Sequence, residues 1–446
     1  MKPQLNEKDI ARFEKDFESD RKLSVSQRTV TKNGIFQSAI DPEVLRKSEK
    51  TFSLELEAGT VTNQKRSGRC WMFAGLNVIR TITIAKLSVK NIEFSQTYLQ
   101  FYDKLEKANF FLERTMELVG EDFNSRLNIY ALDNLFMDGG HWAMFVNLVK
   151  KYGVVPLEAM PETLPSAETD ELNRTLLALL SKDMAFLRKK AKEGEGIDHL
   201  RTYKEGMLRE VYRVLAVSLG VPPTSFVYQG KDKKDKFFRL PKMTPLAFYQ
   251  KYVGARLDDY ISLSDARLPG WEEKKAYTSR YVNNVEGGEP VLFFNVPVEE
   301  MKKAVVKSLE GKEAVWFAAD VLTQSLRKDG VLASGILRTD DLFDVTYSAD
   351  KGERLTYRSS FCNHAMTFTG VNLDENHTPD RYKVENSWGK ENGADGFFVM
   401  SDAWFSDYVY QILVNKKFVS PELWKAFKSA KPIEVSPFNA MFDELD

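Results

Sequence analysis

The chain is poor in cysteine, with two residues, Cys70 and Cys362, in 446. At most one bridge can form, so a secreted disulfide scaffold is excluded, as is a zinc site built from several thiolates. It also lacks an excess of either charge. With 63 basic against 64 acidic side chains the net charge is −1, and no bulk field is available to hold nucleic acid or a membrane. No run reaches the ~18 apolar residues of a spanning helix. The opening MKPQLNEKDIARFEKDFESD lacks the apolar core of a secretory signal. Histidine is scarce, with four residues, and no two have helical ligand spacing, so neither a metal nor a cofactor is expected. What is present is ordinary globular composition, 43% apolar and 28% charged. The expectation is a cytoplasmic protein of two to three domain-sized units.

The pattern along the chain changes from helical to β. Residues 5–20 read as a charged amphipathic helix and 21–66 as polar and irregular. From Cys70 to about Lys90 the sequence is helical and apolar nearly all round, which predicts a buried helix. Helical pattern continues over 95–119 and over 127–152, where Gly139-Gly140 interrupts it, and a charged helical stretch fills about 168–220. The run KDKKDK at 231–236 reads as a solvated turn. The last third holds short β-favouring runs, VLFFNV, AVWFAAD, AMTFTGV, RYKVENS, GFFVMS and YVYQILV, spaced closely enough for antiparallel pairing. The layout is α+β.

Cys70 taken alone reads as a small buried hydrophobe. Its setting argues otherwise. A helix begins at Cys70 after a loop carrying Gly68, and a thiol at a helix N-terminus meets the positive end of the macrodipole. Arg66 and Arg69 add positive charge, and both effects favour the nucleophilic thiolate. Gln64, six residues upstream, can donate to an oxyanion beside the Cys70 N–H. His364 can serve as the base, and the Asn386 amide oxygen can orient its ring. Cys362 can share a strand face with His364, but it lacks the helix-terminus setting and reads as packing. His141 reads as a loop histidine, and His199 and His377 as solvent-facing.

Gln-x5-Cys-Trp followed by a later His and Asn-Ser-Trp-Gly resembles the papain-like cysteine peptidases. The Cys70–His364 separation of 294 residues exceeds the roughly 130–150 of a minimal domain, which calls for an insertion. The segments QKRSGRCWMFAGLNVIR, EFSQTYLQFYDKLEKANFFLE, DGGHWAMFVNLVKKYGVVP, NHAMTFTGV and KVENSWG resemble the bleomycin hydrolase / aminopeptidase C branch over nearly the whole length. The resemblance implies an α+β papain-like core with an N-terminal hook and a large helical insertion. The corresponding divisions are a hook and lead-in at 1–66, a helical core part at 67–160, an inserted helical region at 161–290, a β-rich core part at 291–430 and a tail at 431–446 in the cleft. It further implies catalysis by Cys70, His364 and Asn386, with Gln64 and Cys70 as the oxyanion hole and Trp388 shielding the His–Asn hydrogen bond.

Gly139-Gly140 reads from the sequence either as a helix-breaking turn or as backbone presented to a peptide, and the resemblance favours the second. Substrate contacts are expected from Gly139, Gly140, Trp388 and the terminal Asp446. The expected activity is that of a cytosolic cysteine aminopeptidase acting on peptides with bleomycin-hydrolase-like specificity, assembled as a homohexamer, without membrane or nucleic-acid partners. The tail carries Phe438 and Met441 but ends in acidic residues, which leaves open an oligo-endopeptidase with an open cleft. A catalytically silent peptide- or nucleic-acid-binding protein on the same scaffold is the alternative of another class.

Overall fold

The computed structural model describes residues 3–443 except 135 and 348. The buried helix expected after Gly68 runs Cys70–Leu87. Its apolar residues surround the whole circumference, so it is covered on every side. Gly75 lets it approach the helix Trp142–Tyr152, because a Cβ there would lie 2.8 Å from the Phe145 ring. The long helix Gln96–Glu117 starts at Ser95, whose hydroxyl accepts from the Tyr98 N–H. The helices Asp170–Lys192 and Ile197–Leu219 pack on it, with Leu176, Leu180, Leu187, Val211 and Leu215 buried.

Among the described residues twelve strands join one sheet. At its centre the strand His364–Leu373 pairs antiparallel with Val315–Ala319 on one side and Pro379–Glu385 on the other. Phe397–Ser401 and Val409–Asn415 flank these, and Tyr260–Ser264 extends the sheet beyond Val409–Asn415. The helix Cys70–Leu87 lies against the strand His364–Leu373. Trp316 Nε1 donates to the Trp71 carbonyl at 3.1 Å, and Thr367 Oγ1 donates to the Ala74 carbonyl at 3.2 Å. The sheet's other face is covered by the helix Val298–Glu310 and by Trp404, Phe405 and Leu423.

Residues 21–66 are not irregular throughout. They hold the helices Arg21–Asn33, Ile35–Ala39 and Pro42–Lys47, punctuated by Asp20, Gly34 and Asp41 at their caps. Asp20 and Asp41 accept from the leading N–H groups of their helices, so polar residues in this stretch start helices. The run 231–236 forms a turn whose Lys233 pairs with Glu57, and Asp235 pairs with Lys90 at 2.9 Å. No helix among the described residues is long and apolar enough to cross a membrane.

Arg80 on the nucleophile helix and Glu385 at the end of its strand are both fully buried and form an ion pair. Arg80 Nη1 also donates to the Thr60 carbonyl at 2.7 Å. Burial raises the Glu385 carboxyl and Arg80 opposes that rise. Arg80→Ala strands the carboxylate in the core, so it is expected to cost about 3–5 kcal/mol in urea unfolding. Removing both charges together as Arg80→Met/Glu385→Leu is expected to cost less than the single change.

Candidate active site

The end of the Arg80–Glu385 tie is also the start of the site, because Asn386 follows Glu385 directly. His364 opens its strand and Asn386 follows the neighbouring one, so the sheet register brings them together. His364 Nε2 and Asn386 Oδ1 are 2.8 Å apart. Since the amide oxygen accepts, Nε2 carries the proton and Nδ1 is the nitrogen left for the sulfur. Cys70 is fully buried at the first position of its helix, and the Ala365 N–H donates to its Sγ at 3.4 Å. The sulfur therefore sits at the first peptide of the histidine strand. Trp388 packs on the imidazole with ring centroids 4.6 Å apart. Burial pushes the His364 imidazole down to about 4, Asn386 opposes the shift, and the Arg327 charge adds to it.

No side chain caps the N-terminus of this helix, and the Arg69 carbonyl accepts from the Met72 and Phe73 N–H groups. Gln64 lies beside them. Its amide oxygen accepts from Ser387 Oγ at 2.6 Å, and Nε2 donates to the Ser67 carbonyl at 2.6 Å. That fixes the amide and leaves its second N–H for a developing oxyanion. Ser387 escaped notice in the sequence although it stands inside the Asn-Ser-Trp motif. The charge attributed to Arg69 is corrected. Arg69 is buried and its guanidinium meets Glu162 in two hydrogen bonds of 3.0 and 2.9 Å, so it builds the loop and adds little net charge at the sulfur.

Gly139 and Gly140 face the nucleophile helix from the next segment. A Cβ on Gly140 would lie 2.6 Å from the Trp71 indole, so only glycine fits. A buried polar clamp holds this segment. Asp138 Oδ2 accepts from the Gly68 N–H at 3.3 Å and from Thr169, Lys104 Nζ lies 2.6 Å from Oδ1, and the Asp138 carbonyl accepts from Trp71 Nε1 at 2.9 Å. Lys107 Nζ donates to the Met137 and Gly139 carbonyls. Burial works against the Asp138 carboxylate, but Lys104 outweighs it and holds the group well below the usual range. The sequence signal for this clamp was there to read: Asp103, Lys104 and Lys107 are charges set among the aromatic residues of an otherwise core-facing helix.

The tail reaches the same wall. Ala440, Met441 and Phe442 are buried, and Phe442 meets Phe293 edge-on at 4.9 Å. His141, expected as an ordinary loop residue, is instead 2% exposed beside Gly140, with its ring 5.9 Å from Phe293. Burial pushes it down to about 4, Lys107 adds to this, and the Phe442 backbone pulls the other way. Upstream, Arg126 lies over Phe438 at 4.0 Å, and Arg358 pairs with Asp443 at 3.2 Å. Asp446 lies outside the described residues.

Of the remaining residues, His199 and His377 are exposed and pair with Glu195 and Glu310. Cys362 is buried, and burial with Asp320 pushes its thiol up, so it stays protonated.

A peptidase C1-like family model matches residues 4–442. An aminopeptidase C of Lactobacillus helveticus is 37% identical over 443 residues, covering 99% of this chain and 98% of that protein. An aminopeptidase G of Lactobacillus delbrueckii subsp. lactis is 40% identical over 444 residues, covering 99% and 100%. A crystal structure of PepW from Lactobacillus rhamnosis HN001 (DR20) superposes with a TM-score of 0.96 at 38% identity, over 99% of both chains.

The two depressed histidines set a pH dependence. The unfolded imidazoles titrate near 6.5 and take up protons that the native ones refuse until about pH 4. Their stability contribution is therefore present above pH 6.5 and lost as pH falls toward 4, at up to about 1.4 kcal/mol per pH unit each. Urea titrations across pH 4–7 should show this slope, and His141→Gln should remove about half of the histidine share.

Proposed function

Given that the chain belongs to the peptidase C1-like family, the papain-like cysteine peptidases, and is a cysteine-type aminopeptidase, we propose that it removes residues from the free N-termini of cytoplasmic peptides with bleomycin-hydrolase-like specificity. The observation that carries this reading is the buried tail. Ala440, Met441 and Phe442 are buried, and the Phe442 backbone reaches His141, next to the Gly139-Gly140 segment where a peptide's N-terminal side would run. A cleft filled there by the chain itself leaves room for few residues before the scissile bond, and the acidic chain end suits a substrate ammonium. Two buried cysteines that are not bridged to each other fit a reducing compartment.

In the proposed cycle His364 takes the Cys70 thiol proton as the sulfur attacks the scissile carbonyl carbon, forming a C–S bond and an oxyanion. The Cys70 N–H and the second Gln64 amide N–H hold that oxyanion. The His364 imidazolium gives its proton to the leaving amine as the C–N bond breaks. Asn386 keeps the ring aligned through Nε2, and Trp388 covers that hydrogen bond. Water then gives a proton to His364 and its oxygen to the thioester carbonyl. The C–S bond breaks, releasing the acid and the thiolate.

Cys70→Ala is expected to abolish hydrolysis with the fold intact by circular dichroism. Deleting residues 440–446 should raise cleavage of N-acylated fluorogenic peptides and lower cleavage of free-amine ones. Unchanged selectivity after deletion would refute the tail reading.

The proposal includes a homo-oligomer, a hexamer by family resemblance. The helix Glu7–Ser19 buries no residue and exposes Ile10, Phe13 and Phe17 at helical spacing, an apolar stripe suited to a second copy. Light scattering should find the full chain assembled and a variant lacking residues 1–33 monomeric.

A further inference from the structure

The two arms of the cleft differ in what they present. One ends at the tail, against His141 and Phe293. The other runs across Trp388, which packs on His364, and the indole there carries a cation. The Arg327 guanidinium carbon lies 5.4 Å from the Trp388 ring centroid. Arg327 is exposed, and the contact its guanidinium makes among the described residues is with that indole. Its neighbour Lys328 and the Lys390 that follows Trp388 in the turn at Gly389 are also exposed. Glu391 is the acidic side chain of that turn, and its carboxylate is directed at Gly389 and Asn63.

We propose that Arg327, seated on Trp388, is a specificity-determining residue for the leaving half of the substrate and takes a carboxylate there. The inference rests on the aminopeptidase reading, because the tail-filled arm then receives the residue that is acylated and the Trp388 arm receives the rest. A dipeptide or tripeptide brings its free α-carboxylate within one or two residues of the scissile bond, and an acidic side chain after that bond brings the same group. The planar guanidinium matches a carboxylate with two N–H donors, and stacking on the indole holds the fork without consuming those donors. Burying such a cation beside the catalytic imidazole would be costly without a partner, so its exposed position on the rim suits a partner that arrives with each substrate.

The test is a ratio of kcat/KM values on the full-length enzyme. One pair is a dipeptide acid against its C-terminal amide. A second pair is amidated tripeptides with Asp or Asn directly after the scissile bond. Each pair is also made with an acylated N-terminus. The native enzyme is expected to favour the carboxylate member of at least one pair by about three- to tenfold. Arg327→Ala should bring that ratio to about one, Arg327→Glu below one, and Arg327→Lys should retain part of it. The first pair responding identifies the chain terminus as the group bound, and the second the side chain. General damage to Trp388 packing lowers both members of a pair together and leaves the ratio unchanged. A native ratio of one in both pairs, or a ratio that survives Arg327→Ala, overturns the proposal. If only the acylated series is cleaved, the aminopeptidase reading fails, while the Arg327 ratio still reports within that series.

Discussion

Everything at the site depends on one docking, that of the helix Cys70–Leu87 onto the strand His364–Leu373. The contact is tied along its length. Ala365 N–H meets the sulfur, Thr367 meets the Ala74 carbonyl, Trp316 meets the Trp71 carbonyl, and Arg80 meets Glu385 deep in the core. Interiors are close-packed and transmit small displacements, so a shift of the helix by a fraction of an ångström moves the nucleophile relative to the imidazole. The ion pair has a further consequence. Glu385 directly precedes Asn386, so the group that aligns His364 is fixed to the helix that carries the thiol.

The wall opposite the histidine is held by charge. Asp138, Lys104, Lys107 and Asp103 form a buried network that binds the Gly68 N–H on one side and the Met137 and Gly139 carbonyls on the other. Such a network is expensive to desolvate, and it repays that cost only with complete pairing. It cross-links the nucleophile loop to the glycine segment by hydrogen bonds alone. Neither of the chain's two buried cysteines takes part in it.

The cleft is asymmetric in both shape and charge. At one end the chain's own residues 440–442 take up buried space beside His141. At the other end an exposed arginine rests on the tryptophan that covers the catalytic hydrogen bond. In the reading proposed above, these two ends meet the two halves of a short peptide.

The sequence by itself determined the chemistry. The helix at Cys70 was legible from its unbroken apolar pattern, the strands from their β-branched runs, and the constellation of Gln64, Cys70, His364 and Asn386 from residue types whose reactivity has few other uses in that combination. Local pattern could not reveal partners distant in sequence. His141 looked like a loop residue because its burial comes from Phe293 and Phe442, 152 and 301 positions away. Arg69 looked like a charge at the sulfur because Glu162, which neutralises it, is 93 residues on. Arg327 carried no signal at all until the sheet brought it to Trp388. A side chain's type fixes what it can do, and that much is written in the sequence. Which groups desolvate it, neutralise it or aim it is set by close packing between remote segments, and only the tertiary structure decides that.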